Sequence, residues 1–166
     1  MDQDTEKSPG KGQGVSKRRI VIGYDGSQNA EDAFKWFVKK IHKRGDYVII
    51  VHVPEFKNLS HVPVMTADAA LMSKIVDEEQ QKCKLMLAKI NELMRISDVK
   101  GNIKQVMGDA GEQIVQAASK EGADFIVTGS RGLGKFRRTF LGSVSDYIVH
   151  HSTVPVIVCK IEDHLH

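Results

Sequence analysis

Four β-branched residues stand in a row at Val48-Ile49-Ile50-Val51. A strand with one wet face alternates apolar and polar residues, so an unbroken run needs cover on both faces. That requirement points to a parallel sheet held between layers of helix. Short apolar runs of the same kind occur at residues 19–24, 47–53, 124–128 and 154–159, with a more mixed one at 101–107. Between them lie segments with helical spacing: 28–43 (Ala33, Phe34, Phe37, Val38 and Ile41 on one face), 68–96, 111–121 and 142–150. Residues 55–66, interrupted by Pro63, read as a loop. The order is β-α-β-α-β-α-β-α-β. Right-handed crossovers turn it into a five-stranded parallel doubly wound sheet, Rossmann-like, with helices on both faces. Ligands of such folds sit beyond the carboxyl ends of the strands, so the residues after Tyr24, Val53, Met107 and Thr128 are where function is expected.

Composition narrows the classes further. The 166 residues suit one domain with a tail. Residues 1–17 are polar and carry Asp2, Asp4 and Glu6 against Lys7, Lys11 and Lys17, so they are expected to be a disordered arm ahead of a single domain over 18–166. Aromatics at 6% do not furnish a stacking platform for single strands, and a net charge of +3 falls short of a duplex binder's clustered excess. No nucleic-acid partner is expected. The apolar runs are strand-sized and the first seventeen residues hold no apolar signal core, so a cytoplasmic protein with no membrane partner is expected. Cys83 and Cys159 stand far apart, without the spacing of a disulfide framework or a cysteine zinc site.

The segment from 129 to 145 reads GSRGLGKFRRTFLGSVS. It holds four glycines, the bases Arg131, Lys135, Arg137 and Arg138, and no acid, so the rest of the chain is close to neutral. Positive charge beside glycine-rich backbone suits a polyphosphate, because amides without a neighbouring Cβ can turn toward its oxygens. Gly142-Ser143-Val144-Ser145 then opens a helix, whose first amides and dipole favour an anion, and the Ser143 and Ser145 hydroxyls are expected to add donors. The stretch from Gly129 to Lys135 also satisfies G-x-x-x-x-G-K. Phe136 stands where a phosphate loop needs a magnesium-binding hydroxyl, and the loop follows the fourth strand instead of the first, so that match is a coincidence.

A different spacing accounts for the same residues: Gly129, two residues, Gly132, nine residues, Gly142-Ser143. Together with Asp25 after the first strand, Val51-His52-Val53-Pro54, Gly108-Asp109-Ala110-Gly111 and Val154-Pro155-Val156-Ile157-Val158, it makes residues 18–160 resemble the universal stress protein family. The resemblance implies strand order 3-2-1-4-5 and, since the loop's glycines and Ser143 are all present, the ATP-binding branch. It also implies a site. Asp25 would lie near ribose, phosphates and Mg2+, and Val53 near adenine. Gly129 and Gly132 would approach the phosphates and Gly142, Ser143, Val144 and Ser145 would close around them, with Gly108, Thr128 and Arg131 also among the nucleotide-binding residues. The family commonly dimerises through the last strand, so a homodimer through Val154 to Val158 is implied. Tyr24 departs from the smaller residue usual before the Asp.

Other candidates have plainer roles. His52, interrupting an apolar strand, is read as a satisfied core histidine. His150 and His151 complement a helix C-terminus, and adjacent positions do not share a face to hold a metal. Met72, Met86 and Met94 fill core. The expected function is nucleotide-dependent stress response or signalling with ATP (or AMP or ADP) and at most slow hydrolysis. The alternative from another class is a nucleotide-independent homodimeric interaction module. An enzyme of the pyrophosphatase type would need Ser-Gly-Gly-x-Asp-Ser where this chain has Asp25-Gly26-Ser27-Gln28-Asn29.

Overall fold

A computed structural model describes residues 17–54, 68–131 and 141–160. The expected arm before residue 17, the 55–66 loop and Gly132 lie outside the described residues. The elements are β1 (Arg19–Gly23), α1 (Gln28–Lys40), β2 (Tyr47–His52), α2 (Ala69–Ile96), β3 (Gly101–Gln105), α3 (Ala110–Glu121), β4 (Phe125–Gly129), α4 (Ser143–His151) and β5 (Val156–Cys159). The strands form one sheet in the order β3-β2-β1-β4-β5, every pair parallel. This is the expected Rossmann-like α/β architecture.

The row of β-branched residues explains the layering. Val48 and Ile50 pack with Phe34 and Phe37 of α1 and Ile90 of α2. Ile49 and Val51 pack on the other face with Ile114 of α3 and Ile148 of α4. All four are at most 1% exposed. Each side chain of this size gains about 1.5–3 kcal/mol from full burial, so β2 holds both layers to the sheet.

α1, β3 and β5 fall short of the apolar pattern by the most. α1 stops at Lys40 because the next turn breaks the ladder. The Ile41 amide still makes the regular bond to the Phe37 carbonyl (2.8 Å), but the His42 amide turns back onto that same carbonyl (2.9 Å), and Arg18 takes the Ile41 carbonyl (2.9 Å). β3 stops at Gln105; Val106 still donates to the His52 carbonyl (3.0 Å), but Met107 is 62% exposed beyond the sheet edge. β5 begins at Val156 because Pro155 has no N–H for the ladder; its carbonyl accepts from Ile126 (2.9 Å). No described helix is long and apolar enough to cross a membrane.

Candidate functional site

The strand order reverses between β1 and β4, and their carboxyl ends border a gap with α1 on one face and α4 on the other. From β1 the chain passes through Tyr24 into the Asp25-Gly26-Ser27 turn. One carboxylate oxygen of half-buried Asp25 accepts the Ser27 amide (2.9 Å), an Asx turn that aims the chain into α1. Ser27 caps that helix, its hydroxyl accepting from the Ala30 amide (3.1 Å). The second Asp25 oxygen has no protein donor among the described residues.

Tyr24 turns its ring away from the α4 side and into the layer between α1 and α2, where it is 2% exposed. Burial pushes its phenol up, and the neighbouring Lys89 ammonium offsets part of the rise. Glu31 of α1 holds both Lys35 and Lys89, each at 2.7 Å. Those two bonds, Lys35 first, keep its carboxyl below the ordinary value. The residue that departs from the family pattern is therefore core, packed beside an α1–α2 ion pair.

On the other side of the gap, Thr128 is buried and its hydroxyl donates to the Gly129 carbonyl (3.3 Å). At Gly129 the sheet meets α1. A Cβ there would stand 3.1 Å from the Asn29 carbonyl oxygen and 3.3 Å from that of Arg131, so glycine permits the close approach. Ser130 extends the β4–β5 pairing by donating its amide to the Cys159 carbonyl (2.9 Å). Its own carbonyl accepts the Gly142 amide (2.8 Å) and the Ser145 hydroxyl (3.1 Å). The chain thus leaves the sheet at Ser130 and returns to the same point at Gly142. Nothing in the residue types marks Ser130 as this neck, and sequence reasoning passed over it.

The start of α4 differs from the other helix starts. Ser27, Asp68 and Asp109 cap α1, α2 and α3 with their side chains, whereas Gly142 gives α4 no side-chain cap. The first helical bond runs from the Asp146 amide to the Gly142 carbonyl (2.9 Å), leaving the Ser143, Val144 and Ser145 amides without acceptors among the described residues. Three such amides at the positive end of a helix dipole are the kind of group an anion bonds to. The expectation of two hydroxyl donors is corrected to one. Ser145 is 2% exposed, and its hydroxyl is spent on the Ser130 and Gly142 carbonyls (3.1 and 2.9 Å), as a buried hydroxyl must be. Its amide remains free. Half-buried Arg131 opens the loop with its Nε buried and lacking an acceptor, a costly arrangement unless a ligand takes it.

Asp25, Thr128, Gly129, Arg131, Gly142, Ser143, Val144 and Ser145 thus lie at the carboxyl ends of β1 and β4 and at the start of α4, with Val53 just past the end of β2. Gly108 stands apart. It turns the chain from β3 into the Asp109 cap of α3 with φ at +128°, and β2 separates it from β1, about 10 Å away at ordinary strand spacing.

A family model described as the universal stress protein family matches residues 17–160. A putative universal stress protein of Staphylococcus epidermidis is 30% identical over 151 residues, 90% of this chain and 87% of that protein. The solved structure of the MJ0577 protein of Methanocaldococcus jannaschii, 24% identical, covers 90% of this chain and 99% of its own with a TM-score of 0.71. That of an Arabidopsis thaliana universal stress protein family member with AMP bound, 21% identical, covers 88% and 93% with a TM-score of 0.64. Two further solved universal stress proteins, 19% and 21% identical, are complexes with cAMP and dAMP (TM-scores 0.56 and 0.59). At these identities the structures establish a shared fold.

Proposed function

The chain belongs to the universal stress protein family, and from that premise we propose that the gap between β1 and β4 binds an adenine nucleotide, ATP with Mg2+ foremost and AMP or ADP at the same place. The observation that carries this reading is the uncapped α4 start, with three free amides at one end of a loop whose other end holds the unpaired Arg131 Nε. The AMP, cAMP and dAMP bound by solved relatives support adenine nucleotides as the ligand class.

In this reading the phosphates lie against Gly129, Gly132 and the amides of Ser143, Val144 and Ser145, with the Arg131 guanidinium matching their charge. Asp25 faces the ribose, Val53 the base, and Thr128 shapes a wall, while Gly108, beyond β2, is left out of the site. The free Asp25 oxygen is a hard donor of the kind Mg2+ takes alongside phosphate oxygens, so the residues present fit that ion. Bound there, Mg2+ would neutralise phosphate charge. Asp25 already spends one oxygen on the Ser27 amide, which suits a ligand of ribose or metal better than a general base, and hydrolysis is accordingly at most slow.

The role we assign is nucleotide-dependent stress response or signalling in the cytoplasm. The working unit is a homodimer through Val154 to Val158. In support, β5 is an edge strand whose Val156, Ile157 and Val158 are only half-buried, an edge that a second copy would cover. That edge also favours the second reading, a nucleotide-independent homodimeric module.

Calorimetric titration with ATP, ADP and AMP, with and without Mg2+, separates the two. Binding heat in the wild type, lost on Gly132→Val or Gly142→Val, is expected; no heat with any of the three nucleotides overturns the reading. Sedimentation equilibrium reads the dimer, and a monomer at tens of micromolar overturns that part.

A further inference from the structure

We infer that His52 is a positioning residue: it takes the place of the last β1–β2 rung, so that the main chain of Val53 stays open for a ligand at the mouth. In a parallel pair, each carbonyl accepts from the amide one position beyond its partner residue. Tyr24 follows the last paired residue, Gly23 opposite Val51, and its amide still donates to the Val51 carbonyl (2.9 Å). The next regular rung would run from the Val53 amide to the Tyr24 carbonyl. It is not made. The Tyr24 carbonyl is taken by His52 Nδ1 at 2.9 Å, and the β1–β2 pairing ends.

A carbonyl oxygen only accepts, so Nδ1 carries the hydrogen and the tautomer is fixed by this bond. On its other side β2 is undisturbed: His52 pairs with Gln105, and its carbonyl accepts the Val106 amide (3.0 Å). The replacement is confined to the side that faces β1 and the gap. His52 is 5% exposed and Val53 8%. The Val53 amide has no acceptor among the described residues, and an unpaired amide in so dry a place is costly unless something bonds to it. Extended backbone turns the N–H and C=O of one residue the same way, so Val53, directly after β2, offers a donor beside an acceptor, the pattern that the edge of a heterocyclic base complements. This inference rests on the nucleotide reading above and gives the place of the base a physical cause.

Two measurements on the unliganded protein test it first. A long-range 1H–15N spectrum is expected to show the His52 proton on Nδ1. Amide exchange is expected to be at least about tenfold faster at Val53 than at Tyr24. A proton on Nε2 alone, or equal protection of the two amides, overturns the inference. Then His52→Asn, whose side-chain NH2 can stand where Nδ1–H stood, should keep both the exchange pattern and the AMP affinity. His52→Leu cannot donate, so the Val53 amide should close onto Tyr24 and exchange more slowly. AMP affinity should then fall about three- to tenfold, the value of one neutral hydrogen bond. An unchanged Val53 exchange rate and unchanged AMP affinity in a folded His52→Leu overturn the inference. If that variant does not fold, the wild-type measurements still decide. If the wild type binds no AMP, the nucleotide reading fails, while the spectrum and the exchange rates continue to judge His52.

Discussion

The two ends of the sheet use the same kinds of group to opposite effect. At the amino end, polar groups close on one another. Asp46 is buried and accepts from Arg18 Nε (2.8 Å), Arg18 Nη2 (2.6 Å) and the Lys43 amide (2.7 Å). Arg19 and Asp124 exchange two bonds, the Arg19 amide to the Asp124 carboxylate (2.7 Å) and the Asp124 amide to the Arg19 carbonyl (2.8 Å). Glu121 holds both Arg19 and Lys104. The exception is Arg19 Nε, buried without an acceptor, in a guanidinium that lies 5.2 Å from the Tyr47 ring centroid. At the carboxyl end, the Ser143, Val144 and Ser145 amides, the Arg131 Nε, the Val53 amide and one Asp25 oxygen all lack protein partners among the described residues. Open groups at one end cost stability, and the closed end is where that stability is recovered. Function belongs where the chain leaves its own hydrogen bonds unmade.

Breaking the closed end should have the largest effect. Asp46→Ala strands the Arg18 guanidinium and the Lys43 amide, and a loss of about 2–3 kcal/mol in urea unfolding is expected. AMP affinity of the folded fraction should not change. A shift in the urea midpoint too small to measure would mean that the closed end does not carry the fold.

Closing the open end should produce the opposite trade. Gly142→Asp supplies α4 with a carboxylate cap like those of α2 and α3. Stability should rise by about 0.5 kcal/mol, while AMP affinity falls at least about tenfold as the cap competes for the amides and repels phosphate. Unfolding and calorimetry on the same sample read both. Loss of stability without loss of binding would contradict the assignment of the two ends.

The smallest effect is the pH dependence of the closed end. Burial pushes the Asp46 carboxyl up, but the Arg18 bond and the Lys43 amide outweigh it and hold the group below its ordinary value. Lys104 and then Arg19 do the same for Glu121. Carboxyls depressed on folding contribute stability that is present above their unfolded values, near 4, and is lost as the pH falls below them toward the folded values. Thermal melting should therefore be flat from pH 7 to about 5 and decline below 4. Asp46→Ala should flatten part of that decline.

Much of the fold is legible in the chain. Val48 to Val51 demand cover on both faces, and helix-period segments between apolar runs leave few topologies. The limits of α1 are not legible, because they depend on Arg18, more than twenty residues away, reaching the Ile41 carbonyl. For the site, the glycine spacing locates the loop and the α4 start, since only small residues let backbone face a ligand. Ser130 and His52 are invisible by type: one acts through its carbonyl and the other by replacing a main-chain rung, and neither role leaves a pattern in sequence. Tyr24 looks like an intrusion into the site and is instead core, because alternation along β1 sends its ring to the α1–α2 side.

The most direct test of the central claim is a 1H–15N titration of the uniformly labelled protein with AMP. The amides of Ser143, Val144 and Ser145 should shift strongly and saturate together, while those of Arg19, Lys43 and Asp124 at the closed end stay in place. Saturating shifts at the closed end with none at the α4 start would contradict the account.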